Sequence, residues 1–325
     1  MKFIKYLGTS LALMLSSVIW LVFFRIDIKA ADTVAQMILD VDMCGDVDDI
    51  MAIRLTEKYD LENKVKLLAV TSNVMGNEDA IAGILTKEGY SDVPVGVSPY
   101  SNDTAYPEYW DKFSETVANN EMIDAIKLLR RTLVESEEPV SIVTTGYLTN
   151  IYGLMISQGD EYSPLNGMEL IREKVKEMHV TGGVYPSGVD FNYSYVPFAS
   201  LSARYVYENW ESAVPLYIYT YDLGGPLMCG GNLQNMSETD YLAWALKKRG
   251  VESGTPSWDA FTVFVFANIK DSEIHGITTE KCNMAIDPEG VNIIEDCPDG
   301  KFFRIIKSRD NEYYRDLINA DLILP

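Results

Sequence analysis

An α/β fold with a mostly parallel central sheet and helices on both faces, Rossmann-like in layout, is what this chain of 325 residues predicts. Short, nearly continuous apolar runs alternate with longer amphipathic segments, the pattern of strands buried on both faces and joined by helical crossovers. Polar residues gather just after the apolar runs, where open α/β sheets bind their ligands. With 47% hydrophobic residues the chain can bury one large core or two smaller ones.

The alternation reads in order. VAQMILDVD (34–42) is a strand ending in aspartates, and DDIMAIRLTEKY (48–59) follows at helical spacing. VKLLAVTS (65–72) is the next strand, and MGNEDAIAGILTKEG (75–89) a loop and helix. VPVGV (93–97) is a short strand. MIDAIKLLRRTLVES (122–136) is an amphipathic helix with Ile123, Ile126, Leu129 and Leu133 on one side. VSIVTTG (140–146), LTNIYGLMIS (148–157), VKEMHVTGG (175–183), LSARYVYENW (201–210) and VPLYIYTYD (214–222) continue the alternation.

The N-terminus is set apart. Lys2 and Lys5 precede an uncharged apolar run, residues 7–24, with small residues at Ala30 and Ala31. Residues 1–31 read as an export segment, either cleaved or retained as a membrane anchor through 7–24. The expectation is a secreted or extracytoplasmic domain over residues 32–325. A formal charge of −21 argues against nucleic acid, which needs a basic face. Cys282 and Cys297 are close enough in sequence to pair in an oxidising compartment. Zinc is disfavoured: the chain has two histidines, His179 and His275, and no Cys-x-x-Cys. His179, in an apolar run, reads as a core residue.

Five aspartates, Asp40, Asp42, Asp46, Asp48 and Asp49, fall within ten positions. Carboxylates this close repel unless they take up protons or surround a cation. Helix capping accounts for one or two of them, not five. Oxygen ligands favour calcium or magnesium. An EF-hand loop starting at Asp40 fails, because Cys44 and Met51 fall at its fifth and twelfth positions. A phosphoryl-transfer aspartate lacks a basic partner nearby.

The stretch Asp40-Val-Asp42-Met-Cys-Gly-Asp46-Val-Asp48-Asp49-Ile resembles the D-x-D-P-G-x-D-D signature of the inosine–uridine nucleoside hydrolases, two residues longer and without the proline. Four more segments resemble that family in order: Gly76-Asn77 after VTS; TTGYLTN (144–150) for T-G-P-L-T-N; GGVYPSGVDFN (182–192) for G-G…E-F-N, with Asp190 for Glu; and SWDAFTVFVFA (257–267) for the late H-D segment, with Trp258 for His. The similarity spans roughly residues 36–270, and five motifs in order are specific.

The resemblance implies a nucleoside hydrolase-like fold, a calcium ion and hydrolysis of ribonucleosides. It implies Asp42 as calcium ligand and as base on the water held by the ion, with Asp49, Asp259 and the Thr145 carbonyl as further ligands. Thr145 is favoured over Thr149 because it ends a strand. Asp48, Asn77, Asp190 and Asn192 would hold the ribose, Trp258 would face the base, and Asp40 would support the loop. Small-molecule nucleosides are the implied partners, and a homo-oligomer the implied assembly. The chemistry is consistent: cleaving an N-glycosidic bond develops oxocarbenium character that carboxylates stabilise, and a bound divalent ion acidifies water.

Departures concern the substrate. Trp258 supplies no imidazole for the leaving base. Asp190 is one methylene shorter than Glu, about 1.5 Å less reach. YSYVPFASLSA (193–203) stands where the family tends to carry D-P-E-A-A. Tyr147, Tyr185, Tyr193 and Tyr221 lie on candidate site loops and read more readily as packed aromatics than as acids. Residues 271–325 read as a small covering segment. Two alternatives stay open: a non-catalytic calcium- and ribose-binding protein on the same fold, and a hydrolase of a related sugar derivative.

Overall fold

A computed structural model describes residues 34–324 except 44, 101–108, 117–118, 196 and 238. The expected export segment, 1–31, lies outside the described residues. Among those described, no helix is long and apolar enough to cross a membrane.

Strand β1 (Ala35–Val41) shows why the sheet is buried on both sides. Met37, Leu39 and Val41 point into one apolar core and Ile38 into the other, the period-2 alternation of a strand between two helix layers. Beside it lie β2 (Val65–Ser72), β3 (Val95–Val97), β4 (Met122–Asp124), β5 (Val140–Thr144), β6 (Val175–Thr181), β7 (Ser187–Val189), β8 (Leu216–Tyr219), β9 (Ile277–Ile286), β10 (Val291–Asp296) and β11 (Phe302–Lys307). Among the described residues the sheet has eleven strands and runs β4-β3-β2-β1-β5-β6-β8-β11-β9-β10-β7. It is parallel from β4 through β11, and β9, β10 and β7 complete it antiparallel. The α/β layout expected from the alternation is the one observed.

The helices are α1 (Asp48–Leu61), α2 (Glu78–Lys87), α3 (Tyr109–Ser114), α4 (Ala125–Glu135), α5 (Thr149–Ile156), α6 (Gly167–Lys174), α7 (Phe191–Ser194), α8 (Pro197–Asn209), α9 (Tyr221–Gly224), α10 (Tyr241–Lys248), α11 (Trp258–Ala267) and α12 (Asn311–Asp321). Helices α1 and α11 pack against each other in one layer. Helix α11 is apolar all round, and Ala260–Phe266 are buried, as expected of a helix inside the layer rather than on its surface.

Two expectations are corrected. The helix expected over 122–136 begins at Ala125, because Met122–Asp124 pair with β3 and Asp124 then caps the helix, accepting from the backbone N–H groups of Ile126 and Lys127. Ile123 is therefore a strand residue. The C-terminal residues are not a covering segment: β9, β10 and β11 extend the main sheet. Cys282 and Cys297 are free thiols, the first buried on β9 opposite Asp296.

Candidate active site

Asp40 organises the ends of three neighbouring strands. It is fully buried and accepts hydrogen bonds from Thr71 Oγ1 (2.7 Å), Asn73 Nδ2 (3.0 Å), Thr144 Oγ1 (2.8 Å) and Asn150 Nδ2 (2.8 Å). The loop that follows carries Asp42 outward, with Met43 held at φ 37°. Gly146 lets the β5 loop lie against it: a Cβ there would fall 2.5 Å from Asp42 Cβ and 2.7 Å from Asn73 Oδ1.

A cavity of about 590 Å³ opens at the carboxyl ends of the strands. At its floor, one carboxylate oxygen from each of Asp42, Asp49 and Asp259 lies within 4.8 Å of the others, all three residues buried. Asp49 comes from the first turn of α1 and Asp259 from the first turn of α11, so the packing of these two helices builds the cluster. Asp48 Oδ2 accepts from the backbone N–H groups of Trp258 (3.0 Å) and Asp259 (3.3 Å), capping α11 from a neighbouring helix.

Burial, then repulsion among neighbouring carboxylates, pushes Asp48, Asp49 and Asp259 well above the ordinary carboxylate range. Asp49 Oδ1 is buried without a hydrogen-bond partner. An orphaned oxygen among crowded, oxygen-only donors fits a hard divalent cation. Because the folded-state pKa values are raised, the stability these groups contribute is full below about pH 4 and lost as pH rises through the raised values. The cation-free protein should therefore melt progressively lower as pH rises from 4 to 7. Calcium chloride should restore the loss most strongly at pH 7. Differential scanning calorimetry checks this, and Asp49→Ala should abolish the calcium increment; an equal increment in that variant would remove Asp49 from the site.

On the opposite wall Asp190 caps α7, accepting from Asn192 N (2.9 Å), and burial raises its pKa to about 6. Asn192 Nδ2 donates to the carbonyls of Thr145 (3.1 Å) and Thr181 (3.3 Å), tying β5, β6 and α7 together at the cavity. The structure thus brings Asp42, Asp48, Asp49, Thr145, Asp190, Asn192, Trp258 and Asp259 to one cavity. Thr149 is buried in α5.

Asn77 is placed differently from its expected ribose contact. It is fully buried, donates from Nδ2 to the Asp42 carbonyl (2.9 Å) and accepts from Ser72 Oγ, so it braces the Asp42 loop from behind. Asp46, in the two-residue extension, is exposed at the cavity edge. His179 is a core residue, fully buried, with Nδ1 2.7 Å from Tyr219 Oη.

Of the four tyrosines singled out in sequence, Tyr221 lines the cavity. Tyr147 and Tyr193 are buried, and Tyr185 lies against the Arg304 guanidinium. Sequence reasoning missed Phe191 and Tyr195, whose rings stack at 4.3 Å on the cavity wall. The available signal was the position of Phe191 immediately after Asp190, with Tyr195 one helical turn further on. Trp258 Nε1 donates to the Tyr221 carbonyl (2.9 Å), and its ring lies 5.1 Å from that of Tyr221.

No family model and no curated protein matches the sequence. Solved structures do match. An inosine-uridine preferring nucleoside hydrolase from Bacillus anthracis aligns with TM-score 0.65 at 15% identity, covering 89% of this chain and 99% of that one. An inosine-guanosine nucleoside hydrolase aligns with TM-score 0.65 at 16% identity, over 89% and 98%. The type III effector protein XopQ, complexed with adenosine diphosphate ribose, aligns with TM-score 0.62 at 14% identity, over 90% and 93%. In a sheet of this order, with an aspartate cluster at its strand ends, the chain has the nucleoside hydrolase fold.

Proposed function

We propose that the chain hydrolyses the N-glycosidic bond of ribonucleosides, releasing base and ribose, with calcium as its cation. The observation that carries this reading is the buried triad of Asp42, Asp49 and Asp259 on the floor of a cavity walled by Asp48, Asp190 and Asn192. Asp42, Asp49 and Asp259 would hold the ion, which when bound supplies an acidified water and an anchor for sugar hydroxyls.

The chain's own residues do the rest. Asp42 takes a proton from the attacking water. Asp48 and Asp190 accept from ribose hydroxyls and, in their ionised forms, stabilise the positive charge that develops on the sugar. The Asp42 loop is held from behind by Asn77 and from the side by Gly146, which fixes the base relative to the anomeric carbon.

Departure of the base gains no help from Trp258, whose N–H is already donated to the Tyr221 carbonyl. Rate should then follow the leaving group's own acidity. A 4-nitrophenyl riboside should be cleaved at least about 100-fold faster than inosine, the size of a missing general acid. Equal rates in a reducing-sugar assay would reveal an acid at the cavity. The same spent N–H favours a second reading, a binding protein without turnover, which calcium binding with no release from either riboside would support.

A further inference from the structure

The cavity carries charge of one sign. Asp42, Asp46, Asp48, Asp49, Asp190 and Asp259 line it, and none of the described lining residues is lysine, arginine or histidine. Arg249 approaches the same loop, its guanidinium 3.7 Å from a Cβ built on Gly45, but does not line the cavity. A divalent ion held by three of the aspartates balances part of this charge. Asp48 and Asp190 line the space beyond it, and in their ionised forms a cleft with low-dielectric walls focuses their field on whatever enters.

The walls are aromatic. Phe191 and Tyr195 form one stacked pair, and Trp258 and Tyr221 a second, tilted at 35°. Ring faces attract a flat cation and give an anion nothing. The side-chain donors of Trp258, Asn192, Thr181 and Tyr219 at the wall are engaged within the protein. Trp258 Nε1 serves the Tyr221 carbonyl, and Asn192 Nδ2 the carbonyls of Thr145 and Thr181. Thr181 Oγ1 lies 2.7 Å from Thr262 Oγ1, and Tyr219 Oη 2.7 Å from His179 Nδ1. A neutral purine leaving with its bond electrons becomes an anion, and here it would meet a wall of carboxylates.

We infer that the site is built for N-ribosides whose base is already a cation, the N-ribosylpyridinium class, in preference to neutral purine nucleosides or 5′-phosphorylated ones. This rests on the hydrolysis proposed above and names its substrate class. Such a leaving group needs no acid. The bond from C1′ to nitrogen breaks with its electron pair remaining on nitrogen, so the pyridinium departs as a neutral pyridine. A water oxygen forms the new bond to C1′, and the proton it loses passes to Asp42 and then to solvent. One cationic riboside and one water give ribose, a neutral pyridine and one proton. While bound, the cationic ring is attracted by both the aromatic pairs and the carboxylates. A phosphate at the 5′ position adds charge of the sign the cavity already carries.

The test uses the full chain with calcium chloride. Initial rates are compared on nicotinamide riboside, inosine, 4-nitrophenyl riboside and nicotinamide mononucleotide. Binding is read without turnover from quenching of tryptophan fluorescence by 1-methylnicotinamide, a permanent cation, and by neutral nicotinamide. Expected are a kcat/KM for nicotinamide riboside at least about 100-fold above that for inosine, the range of an acid no longer needed, and a loss of about tenfold or more for the phosphorylated analogue. The methylated cation should bind about tenfold tighter than nicotinamide, and less tightly as salt is added, as electrostatic attraction requires.

Cleavage of 4-nitrophenyl riboside with nicotinamide riboside no faster than inosine overturns this inference and leaves riboside hydrolysis standing. Equal binding of cation and neutral amide, or equal rates with and without the phosphate, overturns the charge argument on which it depends. No release from any riboside overturns the inference and the hydrolytic function together.

Discussion

Asp42→Asn should lose turnover by about 100- to 10,000-fold while the protein continues to bind calcium and ribose. Asparagine keeps an oxygen for the cation but cannot accept the water's proton. Asp42 is one of three carboxylates in the buried triad, so its loss weakens the cation without removing the other two ligands. Asp259→Asn should behave in the opposite order, losing cation affinity first and turnover as a consequence. Saturating calcium should therefore rescue much of Asp259→Asn and little of Asp42→Asn. Steady-state kinetics on 4-nitrophenyl riboside across a calcium titration separates the two. Wild-type activity in Asp42→Asn would remove the assigned base.

The second large effect concerns a residue that does not line the cavity. Asp40→Ala should destabilise the fold by roughly 4–8 kcal/mol, since it strands four buried donors at about 1–3 kcal/mol each and some recover partners by rotating. Those donors belong to Thr71, Asn73, Thr144 and Asn150. A loss of this size approaches the whole stability of an ordinary domain. A drop in Tm of more than about 10 °C, or failure to recover folded protein, is the expected result. Asp40→Asn should also be costly, because its amide would point a donor at donors. A Tm within about 3 °C of wild type for Asp40→Ala would show that these side chains find other partners.

The sheet was legible because its central strands are buried on both faces and so read as continuous apolar runs. The site was legible because like charges are not crowded without a reason, and Asp42, Asp48 and Asp49 stand together in the chain. What failed to read has equally physical causes. Asn77 immediately precedes α2, and nothing local says whether its amide faces the ligand or the back of the aspartate loop. Ile123 satisfies a helical stripe and a strand alternation equally over so short a run, and only pairing with β3 decides. Phe191 and Tyr195 look like core residues in sequence, since the same rings serve a core and a cavity wall. The strands after residue 276 alternate with charged residues on a partly exposed sheet end, so they lack the doubly buried signature of the others.

The pairing of β7 with β10 bears on the order in which the molecule can be completed. All three triad aspartates, and both helices that carry Asp49 and Asp259, are present once residue 267 has been synthesised. The wall that bears Asp190 and Phe191 follows directly on β7, whose ladder partners are Val291, Asn292 and Ile293. Asn292 also clamps the preceding turn, accepting from Val184 N (2.9 Å) and donating to Val184 O (2.8 Å). A growing chain therefore carries all three cation ligands before the strand that closes the sugar side of the cavity has been made. Domains fold largely as they emerge, but a contact separated by about a hundred residues waits for its partner. A chain stopped after α11 should thus leave the ribosome with a metal floor and no far wall, an ion binder that has not yet become a sugar site.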